Sequence, residues 1–147
     1  MEFMILEGMP EKVQLKQILQ LHEVIFGASN DDLLFNMKLK NALTIVTAIH
    51  HSKVVGYKMG YEIDHNTYYS WLGGVDHVYR GQGVASNLMK QQHEYLKMKG
   101  YSVVRTKTMN KWRNMLLLNI KNGFDVMETY TNKNGLHKIV LEKKLCD

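Results

Sequence analysis

The stretch "VDHVYRGQGVASNLM", Val75 to Met89, decides how this chain is read. It follows an apolar run, "TYYSWLGG" at residues 67–74, and leads into residues of which Ala85, Leu88, Met89, Gln92 and Leu96 fall on one side of a helix. A strand therefore enters a helix through a loop that carries Gly81 and Gly83. The first turn of a helix leaves backbone N–H groups unpaired and carries the positive end of the helix dipole. Glycines let an anion approach those groups without a Cβ in the way, and Arg80 adds a charge-assisted contact. The loop reads as an anion cradle suited to phosphate, with a tight unliganded turn as the alternative. It is not a common nucleotide fingerprint: the Gly-Lys-Ser/Thr ending of a P-loop is absent, and "GQGVAS" offers only the first two glycines of G-x-G-x-x-G.

Working outward, "EFMILEGM" reads as a strand, and Pro10 suits the start of a helix whose apolar members are Leu15, Ile18, Leu19, Leu21, Val24 and Ile25. Ser29, Asn30 or Asp31 caps a second, shorter helix. "ALTIVTAIHHSKVVGYKMGYEID" is rich in β-branched and aromatic residues and turns at His51-Ser52-Lys53, as a hairpin does. In the next strand the Gly73-Gly74 pair weakens the ladder and marks a bulge or a close approach to the backbone. After the helix from Val84 to Lys99 come the strand "YSVVRTKT", a helix with Trp112, Met115, Leu116 and Ile120 on its apolar face, and two strands joined at Asn134-Gly135. The order is β α α β β β α β α β β. Only the segment Thr67 to Thr108 has a connection long enough for a parallel crossover. The fold class is α/β in the α+β sense: a mixed, mostly antiparallel twisted sheet with one central parallel βαβ pair and helices on both faces.

The 147 residues fit a single domain, with 45% apolar and 22% charged residues and no low-complexity tract. No run approaches the roughly 20 apolar residues that span a bilayer, and "MEFMILEGMPEKV" lacks the features of a secretory signal. One cysteine, Cys146, excludes an intrachain disulfide and fits a reducing compartment. The expectation is a cytoplasmic protein without membrane association. The net charge of +5 comes from scattered lysines rather than a basic patch, so no specific nucleic-acid partner is implied. His50-His51 does not make a metal site, because neighbours in a strand face opposite ways and no ligand cluster joins them.

The run Val75 to Ala85 resembles the acetyl-CoA signature of the GNAT N-acetyltransferases, V-x-P-x-x-R-G-x-G-[IVL]-[GA], with His77 in place of the usual proline. "MLLLNIKNGF", Met115 to Phe124, is similar to the family's second signature, a helix ending in Gly-Phe, and the element order matches along nearly the whole chain. The resemblance implies that the amides of Arg80, Gly81, Gln82, Gly83, Val84 and Ala85, with Ser86 adjacent, hold the CoA pyrophosphate. It implies that Gly73, Gly74 and Val75 lie on a strand splayed from its parallel neighbour, whose free backbone pairs with the pantetheine arm. Acetyl-CoA is then a co-substrate and no metal is needed.

Transfer in this family is usually direct: an amine attacks the thioester, a backbone amide stabilises the oxyanion, and CoA thiolate leaves. Many relatives carry a glutamate where this chain has Tyr69, leaving Glu62, Asp64, His65 and His77 as alternative bases for an amine whose pKa is about 10.4. Relatives often carry a tyrosine acid where this chain has Asn119. Asn119 either hydrogen-bonds the sulfur or pantetheine, or is a buried asparagine satisfied by backbone. The catalytic candidates are Asn119, Tyr69 and Glu62; aromatics near Tyr69 are candidates for the acceptor pocket. The reading is an acetyl-CoA-dependent transfer to a primary amine of a small molecule or protein, and it leaves a homodimer open. A non-catalytic acyl-CoA-binding regulatory module is the alternative.

Overall fold

The computed structural model describes residues 1–27 and 30–146. Strands β1 (Glu2–Glu7), β2 (Thr44–His50), β3 (Lys53–Glu62), β4 (Thr67–Val75), β5 (Val103–Thr108), β6 (Asp125–Thr131) and β7 (His137–Lys144) join helices α1 (Lys12–Phe26), α2 (Asp31–Leu39), α3 (Val84–Met98) and α4 (Arg113–Lys121). The order is the one read from the sequence, with a single 3-10 turn, His77–Tyr79, added between β4 and α3. The strands form one sheet in the order β1-β2-β3-β4-β5-β7-β6, antiparallel except where β4 meets β5. That pair needs α3 as its crossover because parallel strands cannot be joined by a tight turn. Among the described residues no helix is long and apolar enough to cross a membrane.

Helical periodicity puts an apolar stripe on each helix, and each stripe covers a face of the sheet. On one face α1 and α2 bury Ile18, Leu21, Leu33 and Met37 against Ile45, Tyr57 and Met59. On the other, Val84 and Leu88 of α3 meet Val46, Ala48 and Val55, while Met89 and Leu96 meet Tyr68, Val104 and Leu141. Of the three caps offered for α2, Asn30 is the residue at the N-cap, although its side-chain amide bonds Glu23 rather than the helix; Ser29 lies outside the described residues. Pro10 stands just ahead of α1, not within its first turn.

Two expectations hold in part. Of the apolar face drawn for α4, Leu116 packs inward, beside Leu118, and Asn119 is only 2% exposed, but the two ends of the face are not covered: Trp112 and Ile120 are each 48% exposed. Trp112 is the N-cap residue of a nine-residue helix, so its side chain is off the helical stripe. The irregularity in β4 also falls before the glycine pair. Gly60 pairs with Ser70 and Met59 with Leu72, which leaves Trp71 as the extra residue of a bulge. Close packing there needs Gly60, since a Cβ would collide with the Tyr69 carbonyl and the Tyr68 ring. A bulge bends and twists its strand, and this one falls just past the last β4–β5 pair, Tyr69 with Arg105.

Candidate active site: a parted strand pair and a bare helix start

The parallel pairing of β4 and β5 lasts three positions: Thr67 with Val103, Tyr68 with Val104, Tyr69 with Arg105. The Thr106 hydroxyl then donates to the Ser70 carbonyl at 2.9 Å, closing the fork. Beyond it β4 stays paired with β3 as far as Val75, and β5 stays paired with β7 as far as Thr108, but no β4–β5 pair remains. The separated stretch of β4 thus offers free main-chain groups toward a wedge between the strands. The wedge opens onto the glycine turn.

That turn is bare. Gly81 and Gly83 have φ of 77° and 80°, the left-handed region that favours glycine, and nothing lies within 4 Å of where either Cβ would stand. Gly83 caps α3 with no side-chain hydrogen bond, and no acidic residue occupies the first turn. The amides of residues 81–86 have no hydrogen-bond partner among the described residues. Arg80 braces the loop by donating from Nε to the Val75 carbonyl at 3.1 Å, and Gln82 donates to the Val78 carbonyl at 3.4 Å. Val84 is buried and anchors the turn on Gly56 and Leu88, while Ala85 and Ser86 stand at the helix start. A row of free amides at the positive end of a 15-residue helix binds oxyanions.

The glycine pair ahead of the turn has a reason within the fold. A Cβ on Gly74 would come 2.6 Å from Cδ1 of Ile25 in α1, and one on Gly73 would meet the Tyr57 carbonyl at 3.1 Å and Cγ of Lys58 at 3.5 Å. The two glycines let α1 on one face and the Lys58 stem on the other close in on the separated strand.

Lys58 is a residue the sequence reading passed over. It pairs with Gly73, on the α3 side of the sheet, below the wedge. Protein crowds its ammonium although the residue keeps partial exposure, and burial lowers its pKa from 10.5 to about 8. His93 of α3 lies nearby, its Nδ1 3.0 Å from Nζ of Lys143 and its ring 5.5 Å from that of Phe124. Burial, then Lys143 and Lys58, press the His93 pKa down to about 3, so the imidazole is neutral; its Nε2 is buried without a partner. Phe124 in turn donates its N–H to the Asn119 carbonyl at 3.0 Å, which places Asn119 on this side of the site. The signal in the sequence was a lone lysine inside an apolar strand, "VVGYKMGY".

Tyr69 occupies the last paired position of β4 and faces the α1–α2 side, its ring 5.3 Å from that of Tyr61. Burial, with Tyr61 and Tyr130 adding to it, pushes its hydroxyl up to about 12; it is a neutral phenol that can donate but not serve as a base. Two depressions meet at Tyr69. One, about 260 Å³, is lined by Tyr61, Ile63, Tyr69, Trp71, Arg105 and Lys107; the other, about 200 Å³, adds Thr108, Met109, Trp112 and Lys138. The remaining proposed bases are elsewhere. Glu62 accepts from Asn41 Nδ2 at 2.9 Å and from the Tyr101 hydroxyl at 2.7 Å, so both its oxygens are engaged, and Tyr101 lies against Tyr68 on the α3 side. Asp64 accepts the N–H groups of Asn66 and Thr67, which holds its carboxyl below the usual range. His65 is exposed in that turn, and His77 is exposed beside Asp76 before the glycine loop. Among the described residues no group of three His, Cys, Asp or Glu side chains is gathered to hold a metal.

A parted parallel pair that runs on into an uncapped glycine turn leaves main-chain groups free between two strands and amides free at a helix start, an arrangement suited to an oxyanion. Residues 14–114 match the family model described as acetyltransferase (GNAT) family. The chain belongs to that family, whose activity is acetyl-CoA-dependent N-acetyl transfer. No curated protein matches it by sequence. Among solved structures, the chain is similar to the ribosomal-protein-S18-alanine N-acetyltransferase from Escherichia coli at 14% identity, with 99% of this chain and 96% of that one covered and a TM-score of 0.79. The aminoglycoside 6'-N-acetyltransferase from Enterococcus faecium superposes with a TM-score of 0.80 at 13% identity over 98% of each chain. A GNAT family acetyltransferase from Elizabethkingia anophelis, with acetyl-CoA bound, does so at 0.74 and 19% over 97% of each chain.

Proposed function

We propose that the chain works as one GNAT domain that carries an acetyl group from acetyl-CoA to a primary amine through the wedge between β4 and β5. The observation that carries this reading is the end of β4–β5 pairing at Tyr69 on the strand that leads into the bare amides of 81–86. The pyrophosphate rests on Arg80, Gly81, Gln82, Gly83, Val84, Ala85 and Ser86, and the pantetheine arm lies along Gly73, Gly74 and Val75. The amine arrives on the α1–α2 side, in the depressions that share Tyr69.

Attack of the neutral amine on the thioester carbonyl forms a C–N bond and breaks the C–S bond, and CoA leaves as thiolate. Lys58, below the wedge, supplies positive charge to the departing sulfur, and the Asn119 amide serves as a hydrogen-bond donor on the same side. Tyr69 positions the amine. No carboxylate lines either depression, so the amine's proton leaves to water, and Arg105 and Lys107 favour the neutral amine because nearby cations lower an ammonium pKa. The exposed single cysteine, Cys146, supports work in a reducing cytoplasm.

The test is calorimetric titration with CoA and acetyl-CoA, together with release of free thiol across a panel of primary amines. Binding with thiol release on at least one amine is expected. Binding with no release on any amine would favour a non-catalytic acyl-CoA-binding module instead.

A further inference from the structure

The depressions around Tyr69 carry an unbalanced charge. Arg105, Lys107 and Lys138 line them together with Tyr61, Tyr69, Trp71 and Trp112, and no acidic residue does. Arg105 is matched from outside the lining, its Nε 2.6 Å from Oε2 of Glu142. Lys107 and Lys138 have no carboxylate within ion-pair distance among the described residues. Lys107 lies over the Tyr130 ring at 5.5 Å and close enough to Tyr61 to act on its hydroxyl. Two of the aromatic faces that would attract a cationic ligand are also taken: Nζ of Lys40 stands 4.4 Å from the Tyr61 centroid and 5.0 Å from that of Trp71.

Resting on the acetyl-transfer reading above, we propose that the acceptor is a primary amine that also bears a carboxylate, held by Lys107 and Lys138, and not a polycationic amine. A dication would enter a site with two unmatched lysines and two aromatic faces already taken by the chain's own cation, and both effects oppose it. A carboxylate would supply the counter-charge these lysines lack, while its apolar body lies on the rings of Tyr69 and Trp112. The same chemistry is offered by a free amino acid-like molecule and by an acidic peptide with a free N-terminus. The volumes, about 260 and 200 Å³, hold a small molecule or the first residue of a peptide.

The test uses three amines of one skeleton, 4-(aminomethyl)benzoate, benzylamine and 1,4-bis(aminomethyl)benzene, titrated into the CoA-bound protein by calorimetry. The carboxylate is expected to bind at least tenfold more tightly than the neutral amine, and the diamine more weakly still. Raising salt should narrow the order. Lys107→Gln and Lys138→Gln should each bring the carboxylate within about threefold of benzylamine. Equal binding of all three, or preference for the diamine, overturns the proposal. Replacing the small carboxylate with a peptide whose residues after the first are glutamates separates the two sources: tighter peptide binding assigns a protein acceptor, tighter small-molecule binding a free one. Thiol release is scored separately. If benzylamine or the diamine is turned over as well as the carboxylate, the charge assignment fails and acetyl transfer stands. If the carboxylate binds best and nothing is turned over, acetyl transfer fails and the charge assignment stands.

Discussion

Replacing Lys58 with methionine is expected to stabilise the fold and disable the chemistry at once. Methionine keeps the length of the stem beside Gly73 and removes a cation for which no carboxylate lies within ion-pair distance among the described residues. A pKa lowered from 10.5 to about 8 corresponds to roughly 3 kcal/mol of disfavoured charge if the ammonium is sealed from solvent. Partial exposure of the residue reduces that, and about 1–2 kcal/mol is the expected gain at pH 7, near 3–6 °C in Tm for a chain of this length. The sign follows from proton linkage. Below pH 8 the folded protein carries the charge and bears its full cost. Between about 8 and 10.5 the folded state releases a proton that the unfolded chain keeps, so the parent gains stability as pH rises. The Tm difference between variant and parent is therefore largest at pH 7 and shrinks toward pH 10. In the same protein kcat for thiol release is expected to fall about a hundredfold, the scale of losing one charge-stabilising donor, with the Kd for CoA within threefold of the parent. Thermal unfolding at pH 7 and pH 10 with steady-state kinetics makes the measurement. A lower Tm at pH 7, a Tm difference independent of pH, or unchanged kcat would refute the reasoning.

Asparagine at Gly83 tolerates the left-handed backbone that valine would strain, yet places a side chain in the open space above the turn. Gly83→Asn should keep Tm within a few degrees and raise the Kd for CoA at least tenfold, and an unchanged Kd would remove the pyrophosphate from this turn. Gly74→Ala drives a methyl group against Ile25 and should cost about 1–3 kcal/mol, partly recovered by Ile25→Ala in a double-mutant cycle; additive effects would show that α1 does not press on β4. His93, with its pKa lowered from 6.5 to about 3, is neutral in the fold and takes up a proton on unfolding in that window. Stability should therefore drop as pH falls from 6.5, and His93→Gln should flatten the slope by roughly 1.4 kcal/mol per pH unit, one proton's worth, in urea titrations at pH 4 to 6.

The turn "RGQG" was legible because its meaning is local. Glycine spacing, an arginine and a following helical pattern place free amides at a helix start whatever the rest of the chain does. The crossover from Thr67 to Thr108 was equally legible, since only its length permits a parallel pair. Of the two readings of Gly73-Gly74 the close approach holds and the bulge lies at Trp71 instead, which becomes the extra residue only through its register against Met59 and Gly60, a partner strand the local pattern does not name. The face of α4 that carries Leu116 and Asn119 is legible from periodicity, but how far it is covered is not: the neighbours bury Asn119 and leave Trp112 and Ile120 half exposed at its ends.

The sequence by itself determined the order of elements and the position of the anion-binding turn, because spacing and backbone freedom act over a few residues. Tertiary structure alone decided the site around them. Lys58, His93 and Lys143 come from β3, α3 and β7, and Lys107 and Lys138 from β5 and β7, so their meeting depends on strand register and on how closely α3 lies on the sheet. It also decided that Glu62, next to the depression-lining Tyr61 along β3, is held away from the depression. Alternation sends neighbouring strand residues to opposite faces, and Asn41 and Tyr101 keep its carboxylate there.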